Sequence, residues 1–183
     1  MSLTAADPFC FGLAGWSGSG KTTLAEKLVA SMVTHGLSVA TIKHAHHEFD
    51  ADLPGKDSWR HRKAGASEVI VSSVQRSAHF REHRGTEPAL EDLIAQLGPC
   101  DIVIVEGYKS EAFPKIEVHR SKTGAPFLYH DDNCIVALAS DTASDDCNLP
   151  QFYIDDYDAL ILFVLALRDK KLSGHLPSKG QMS

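Results

Sequence analysis

Short apolar runs of strand length alternate along this chain with segments whose apolar positions recur every three or four residues. FCFGLAG at 9–15 is the first run, and KTTLAEKLVASMVTHG after it places Leu24, Leu28 and Met32 four apart, on one face of a helix that Gly36 can stop. LSVATIK then reads as a second strand. Further strands are predicted at 68–74, 77–84, 101–107, 115–120 and 134–140, and helices at 88–97 and 156–168. Strands and helices in alternation predict an α/β fold with a mainly parallel sheet flanked by helices. The longest apolar run, ALILFVLAL from Ala159, is nine residues, too short to cross a bilayer, so no membrane partner is expected.

The length of 183 residues suits one domain over 1–183, with 1–8 and 170–183 as flexible termini. A net charge of −6 argues against a nucleic-acid surface, which needs excess cation to displace counterions. Charge is unevenly distributed: eight of the 18 Lys and Arg lie in 43–84, whereas 131–158 holds eight aspartates and neither basic residue. Cys10, Cys100, Cys134 and Cys147 form no C-x-x-C pair, which predicts reduced thiols. MSLTAADP lacks the basic start and apolar middle of a signal peptide, so a cytoplasmic location is expected.

Candidate chemistry begins in the first turn. Gly15-Trp16-Ser17-Gly18-Ser19-Gly20-Lys21-Thr22 satisfies G-x-x-x-x-G-K-[ST] at every fixed position, between a strand and an amphipathic helix. Such a loop wraps its N–H groups around phosphate oxygens, aided by the helix dipole. Lys21 is expected at the β and γ phosphates, the Thr22 hydroxyl on Mg²⁺, and Thr23 near the α phosphate. A phosphate loop also needs an acid at the C-terminal end of a neighbouring strand, and in DIVIVEGYK that acid is Glu106, a catalytic and metal candidate. Asp101, at the other end of that strand, reads as a boundary residue. Asp141 follows a late strand in VALASD, where a carboxylate could accept from both donors of a guanine edge, but N-K-x-D is absent and a turn or helix-cap role is equally open.

The segment IKHAHHEFDADLPGKDSWRHRKAG carries His44, His46, His47 and His61 among acids and bases without a closed set of metal-ligand spacings. Together GWSGSGKTT, this segment, VEGYK, PKIEVHR and ASD resemble the molybdopterin-guanine dinucleotide biosynthesis protein B family, from about Phe9 to beyond Asp141. The resemblance implies a P-loop NTPase fold, GTP and Mg²⁺ as ligands, weak GTP hydrolysis and a homodimer. It also implies an accessory role beside a molybdenum cofactor guanylyltransferase, with molybdopterin as a further candidate ligand. It makes the His-rich segment a switch region, with Asp57 as the first candidate for Mg²⁺ or the attacking water and Asp50 behind it. The plain alternative for Asp57 is the N-cap of a short helix. Arg60 and Arg62, with Lys63, become candidates for GTP or pterin phosphates, against the alternative of a solvated helix face. The resemblance further suggests antiparallel strands at SAHFREHR and KIEVHR that contribute to the dimer. Two other classes share the phosphate loop: a small-molecule kinase using ATP, and a metal-insertion GTPase using the histidines.

Overall fold

The structure is a computed structural model that describes residues 7–45, 49–83 and 85–173. His46 and His47, and residues 1–6 and 174–183 of the loose ends predicted at 1–8 and 170–183, lie outside the described residues, and the second end begins later than expected because the last helix runs on to Leu172. The elements in chain order are β1 (Phe9–Ala14), α1 (Lys21–Thr34), β2 (Val39–Lys43), α2 (Asp57–Lys63), β3 (Glu68–Ser72), β4 (Ser77–Arg81), α3 (Leu90–Ile94), β5 (Ile102–Glu106), β6 (Lys115–His119), β7 (Ile135–Ser140), β8 (Gln151–Tyr153) and α4 (Tyr157–Leu172). They form two compact units, one of the chain up to His44 and from Leu93 onward, the other of Ala45–Asp92.

The larger unit is built on a six-stranded sheet of order β2-β5-β1-β6-β7-β8, parallel at every pairing. Its core lies on one face, where Phe9, Phe11 and Leu13 of β1, with Ile102, Ile104, Ile116 and Val118, meet Leu24, Leu28 and Met32 of α1 and Leu160, Ile161, Val164 and Leu167 of α4. The stripe predicted from the spacing of Leu24, Leu28 and Met32 is therefore the buried one, and each such side chain contributes about 2 kcal/mol on burial. Asp156 caps α4 by accepting from the Ala159 N–H at 3.1 Å. Asp101 ties the start of β5 to β2, its Oδ2 accepting from Ser38 N at 2.7 Å and Ser38 Oγ at 2.6 Å, as a boundary residue should.

KIEVHR departs from its expected antiparallel pairing. Lys115–His119 is an interior strand, parallel to both β1 and β7 and buried along its whole length. Its polar side chains are buried and partnered on the second face. Lys115 Nζ donates to Lys109 O at 2.7 Å and Asp132 Oδ2 at 2.9 Å. Glu117 accepts from the Leu128 and Tyr129 N–H groups at 2.8 and 2.9 Å, and a His119 ring nitrogen lies 3.1 Å from Ala125 O. Burial raises the Glu117 carboxyl above its usual range against the pull of those two N–H groups. The helix expected at 88–97 is shorter, because beyond Ile94 the chain closes i→i+3 bonds, Gln96 N to Leu93 O and Leu97 N to Ile94 O. The three-residue β8 was not anticipated.

In the smaller unit, β3 and β4 form an antiparallel hairpin with Glu68 opposite Arg81. Arg62 of α2 is its electrostatic centre. The guanidinium donates to Glu82 Oε1 at 2.7 Å, Asp50 Oδ1 at 2.8 Å and Asp52 Oδ2 at 3.3 Å, and lies 5.3 Å from the Phe80 ring centre. Such a fork holds several carboxylates in fixed directions, which a lysine cannot do. Arg62→Ala is expected to speed amide exchange in α2 and the β3–β4 hairpin while leaving β1 and β5 protected, with Arg62→Lys restoring only part. Equal protection in Arg62→Ala and the unchanged protein would remove the structural role.

Candidate functional site

The site forms where β1, β2 and β5 end together. Parallel register sets Leu13 and Lys43 on either side of Glu106, so the segment leaving β1 meets the last side chains of β2 and β5. That segment is the glycine-rich turn expected to be a phosphate loop. Gly15 adopts φ 148, and a Cβ there would overlap the Val118 carbonyl oxygen of β6, so the turn requires glycine. Gly18 and Gly20 take φ 78 and 100, and Gly20 opens α1 without a side-chain cap. The first turn of α1 has no acidic residue, which leaves its N–H groups suited to an anion.

Lys21 folds over this loop, its Nζ donating to Gly15 O at 2.9 Å and Trp16 O at 2.8 Å. Partial burial lowers its pKa; Glu106 opposes that shift, and the nearby Lys109 and Lys43 add to it. Thr22 donates to the Glu106 carboxylate, 2.9 Å from Oε1 and 3.1 Å from Oε2. The side chain of Glu106 is only 14% exposed. The two residues expected to serve a metal are therefore in contact, and a hydroxyl with a carboxylate is an oxygen donor set that suits Mg²⁺. Ser19 adds a second sign of fit: its hydroxyl is buried and has no hydrogen-bond partner among the described residues. Ser17 and Thr23 are exposed on the loop and the first turn of α1.

Sequence reasoning did not single out three basic residues here. Lys43 Nζ stands 3.2 Å from both Thr22 Oγ1 and Glu106 Oε1. Lys109 lies 4.7 Å from the Trp16 ring centre, a cation–π contact, and the Trp16 indole N–H donates to Pro126 O at 2.8 Å. Arg120 packs beside Gly20, the direction a Cβ would take there pointing at its Nε, and lies 3.7 Å from Asp155. Strand-end position could have suggested Lys43 and Arg120, once the strand order was known.

Asp141 sits just past the end of β7, as expected, and serves a turn: its Oδ1 accepts from Ser121 N at 2.8 Å and its Oδ2 from Ser121 Oγ at 3.3 Å. In the smaller unit Asp57 is the first residue of α2, with a side chain 89% exposed, and the N-cap is Lys56, whose backbone is extended; the alternative of Asp57 as N-cap does not hold. Arg60 is 70% exposed and 3.9 Å from Asp57, while Arg62 is held by the three carboxylates described above. The His44 ring lies against Tyr108, with centres 5.1 Å apart. Among the described residues, no group of three or more His, Cys, Asp or Glu is placed to hold a metal ion, and no helix is long and apolar enough to cross a membrane.

The Ser121 N–H, chiefly, holds the Asp141 carboxyl below its ordinary 3.8. The fold thus favours the charged form, whose contribution is complete above pH 3.8 and is lost as pH falls through the lowered folded value. Amide exchange at 121–124 should quicken in that acid window, and Asp141→Asn should already show faster exchange at neutral pH. Identical neutral-pH rates would mean that the carboxylate does not hold the turn.

Known proteins resemble this chain over most of its length. The family profile of molybdopterin guanine dinucleotide synthesis protein B (MobB) matches residues 10–141. The molybdopterin-guanine dinucleotide biosynthesis adapter protein of Haemophilus influenzae is 42% identical over 132 residues, 70% of this chain and 72% of the relative. The Escherichia coli protein of the same name is 38% identical over 162 residues, 86% of this chain and 92% of the relative. The crystal structure of a MobB homologue from Bacillus stearothermophilus superposes with a TM-score of 0.68 at 28% identity, covering 88% of this chain and 98% of the other. With strand, phosphate loop and helix in the expected order and most of its length matched, the chain belongs to the molybdopterin guanine dinucleotide synthesis protein B family.

Proposed function

We propose that this protein is a GTP-binding adapter in molybdenum cofactor biosynthesis, with weak Mg²⁺-dependent GTPase activity, that assists a partner guanylyltransferase in forming molybdopterin guanine dinucleotide. The observation that carries the nucleotide part is the contact between Thr22 and Glu106 beneath a complete phosphate loop. The adapter part rests on family membership and on the names of the Haemophilus influenzae and Escherichia coli relatives.

In this reading the loop N–H groups and the start of α1 bind the phosphates, and the Lys21 ammonium turns from the Gly15 and Trp16 carbonyls to the β and γ oxygens. Thr22 and Glu106 hold Mg²⁺ directly or through its waters; the ion supplies charge neutralisation of the phosphates when bound. Glu106 also orients water. Asp141 is proposed to read guanine, an assignment that requires its carboxylate to be shared with or released from Ser121. Roles for Asp57, Arg60 and Arg62 toward nucleotide or pterin, and the homodimer, come from the resemblance alone.

Calorimetric titration with GTP and with ATP, each with Mg²⁺, is expected to show GTP preference, and Lys21→Ala should weaken GTP binding by at least about tenfold, since it removes a charge-assisted contact. Preference for ATP would overturn the adapter reading in favour of a kinase, and unchanged GTP affinity in Lys21→Ala would overturn the loop assignment. Glu106→Gln should fold normally and lose Mg²⁺-dependent hydrolysis; an unaltered rate would make Glu106 structural.

A further inference from the structure

We propose that Lys43 is a built-in counter-ion of the nucleotide site: its ammonium holds the metal position between Thr22 and Glu106, and its displacement sets the Mg²⁺ concentration at which nucleotide binds. The inference rests on the metal role proposed for those two residues, and goes beyond it by naming what competes with the metal.

The geometry is direct. The Lys43 ammonium is 3.2 Å from the Thr22 hydroxyl oxygen and 3.2 Å from Glu106 Oε1, the same two oxygens that face each other at 2.9 Å. Sheet register fixes this juxtaposition, because Lys43 and Glu106 are paired residues at the ends of adjacent parallel strands. Mg²⁺ binds oxygens at about 2.0–2.1 Å in a strict octahedron and cannot share that position with an ammonium drawn to the same carboxylate. Lys43 is also suited to leave. Its side chain is 57% exposed, on a flexible four-carbon stem, and an exposed ion pair of this kind is weak. Lys21, in contrast, is anchored to two loop carbonyls. The electrostatic influence of Lys43 extends to Lys21, whose pKa it helps to lower. With no metal bound, the Lys43 ammonium is the charge that screens Glu106 from a triphosphate.

GTP binding is to be measured by calorimetry across a Mg²⁺ titration, including an EDTA point, for the unchanged protein, Lys43→Gln and Lys43→Arg. Lys43→Gln removes the competitor: the Mg²⁺ concentration for half-maximal binding should fall about fivefold and the metal-free GTP affinity should fall by a similar factor, the scale of an exposed ion pair. Lys43→Arg, whose fork can grip both carboxylate oxygens, should raise the Mg²⁺ requirement instead. An unchanged or higher requirement in Lys43→Gln overturns the inference while leaving nucleotide binding intact. Should Lys43→Gln fail to fold, an unchanged or lower requirement in Lys43→Arg overturns it. If the unchanged protein binds no GTP at any Mg²⁺ concentration, the proposed function itself fails.

Discussion

Glu106 ends its strand with a parallel neighbour on each side, and the candidate site of the larger unit is organised around that position. To its left in the sheet is Lys43, to its right the chain that becomes the phosphate loop, and below it the Thr22 hydroxyl. Parallel strands bring their C-terminal ends to one edge, so residues far apart in sequence converge there without any dedicated scaffold. The backbone repeats the link, since His44 N donates to Glu106 O at 2.8 Å. Beyond it Gly107 has φ 99 and leaves no room for a Cβ, which would lie 2.6 Å from that of His44.

The second face of the sheet supports the same edge by polar means. β6 buries Lys115, Glu117 and His119, and each is tied to a flanking connection: the Lys109 carbonyl and the Asp132 carboxylate on Lys115, the Leu128 and Tyr129 N–H groups on Glu117, the Ala125 carbonyl on His119. Those connections in turn touch the phosphate loop, through Lys109 over Trp16 and through Trp16 to Pro126. Buried charge is costly unless paired, so this row favours one arrangement of the loops that flank the site. On the other face ordinary apolar burial holds α1, whose start presents the loop.

Much of this was legible in the sequence where local and global signals agree. The first strand, its glycine turn and α1 were readable because motif, periodicity and stop residue coincide, and Glu106 could be picked out by the rule that acids serving a phosphate loop end a strand. Lys43 was not, since its partner lies far along the chain and only the order β2-β5-β1 unites them. The antiparallel pairing expected for KIEVHR came from the resemblance, whereas β6 is an interior parallel strand whose polar face is satisfied by segments that the sequence does not announce. Asp57 looked like a cap by residue preference, but the chain enters α2 one residue earlier, with Lys56 extended at ψ 162.

The phosphate loop, Thr22 and Glu106 are proposed to act as one nucleotide and metal site. A crystal structure with Mg²⁺ and a non-hydrolysable GTP analogue tests it most directly. Phosphates are expected inside the loop at 15–22, with Lys21 turned from the Gly15 and Trp16 carbonyls onto them and the ion at the Thr22 hydroxyl beside Glu106. Phosphates bound elsewhere, or Lys21 still folded onto its loop with the analogue bound, would contradict it.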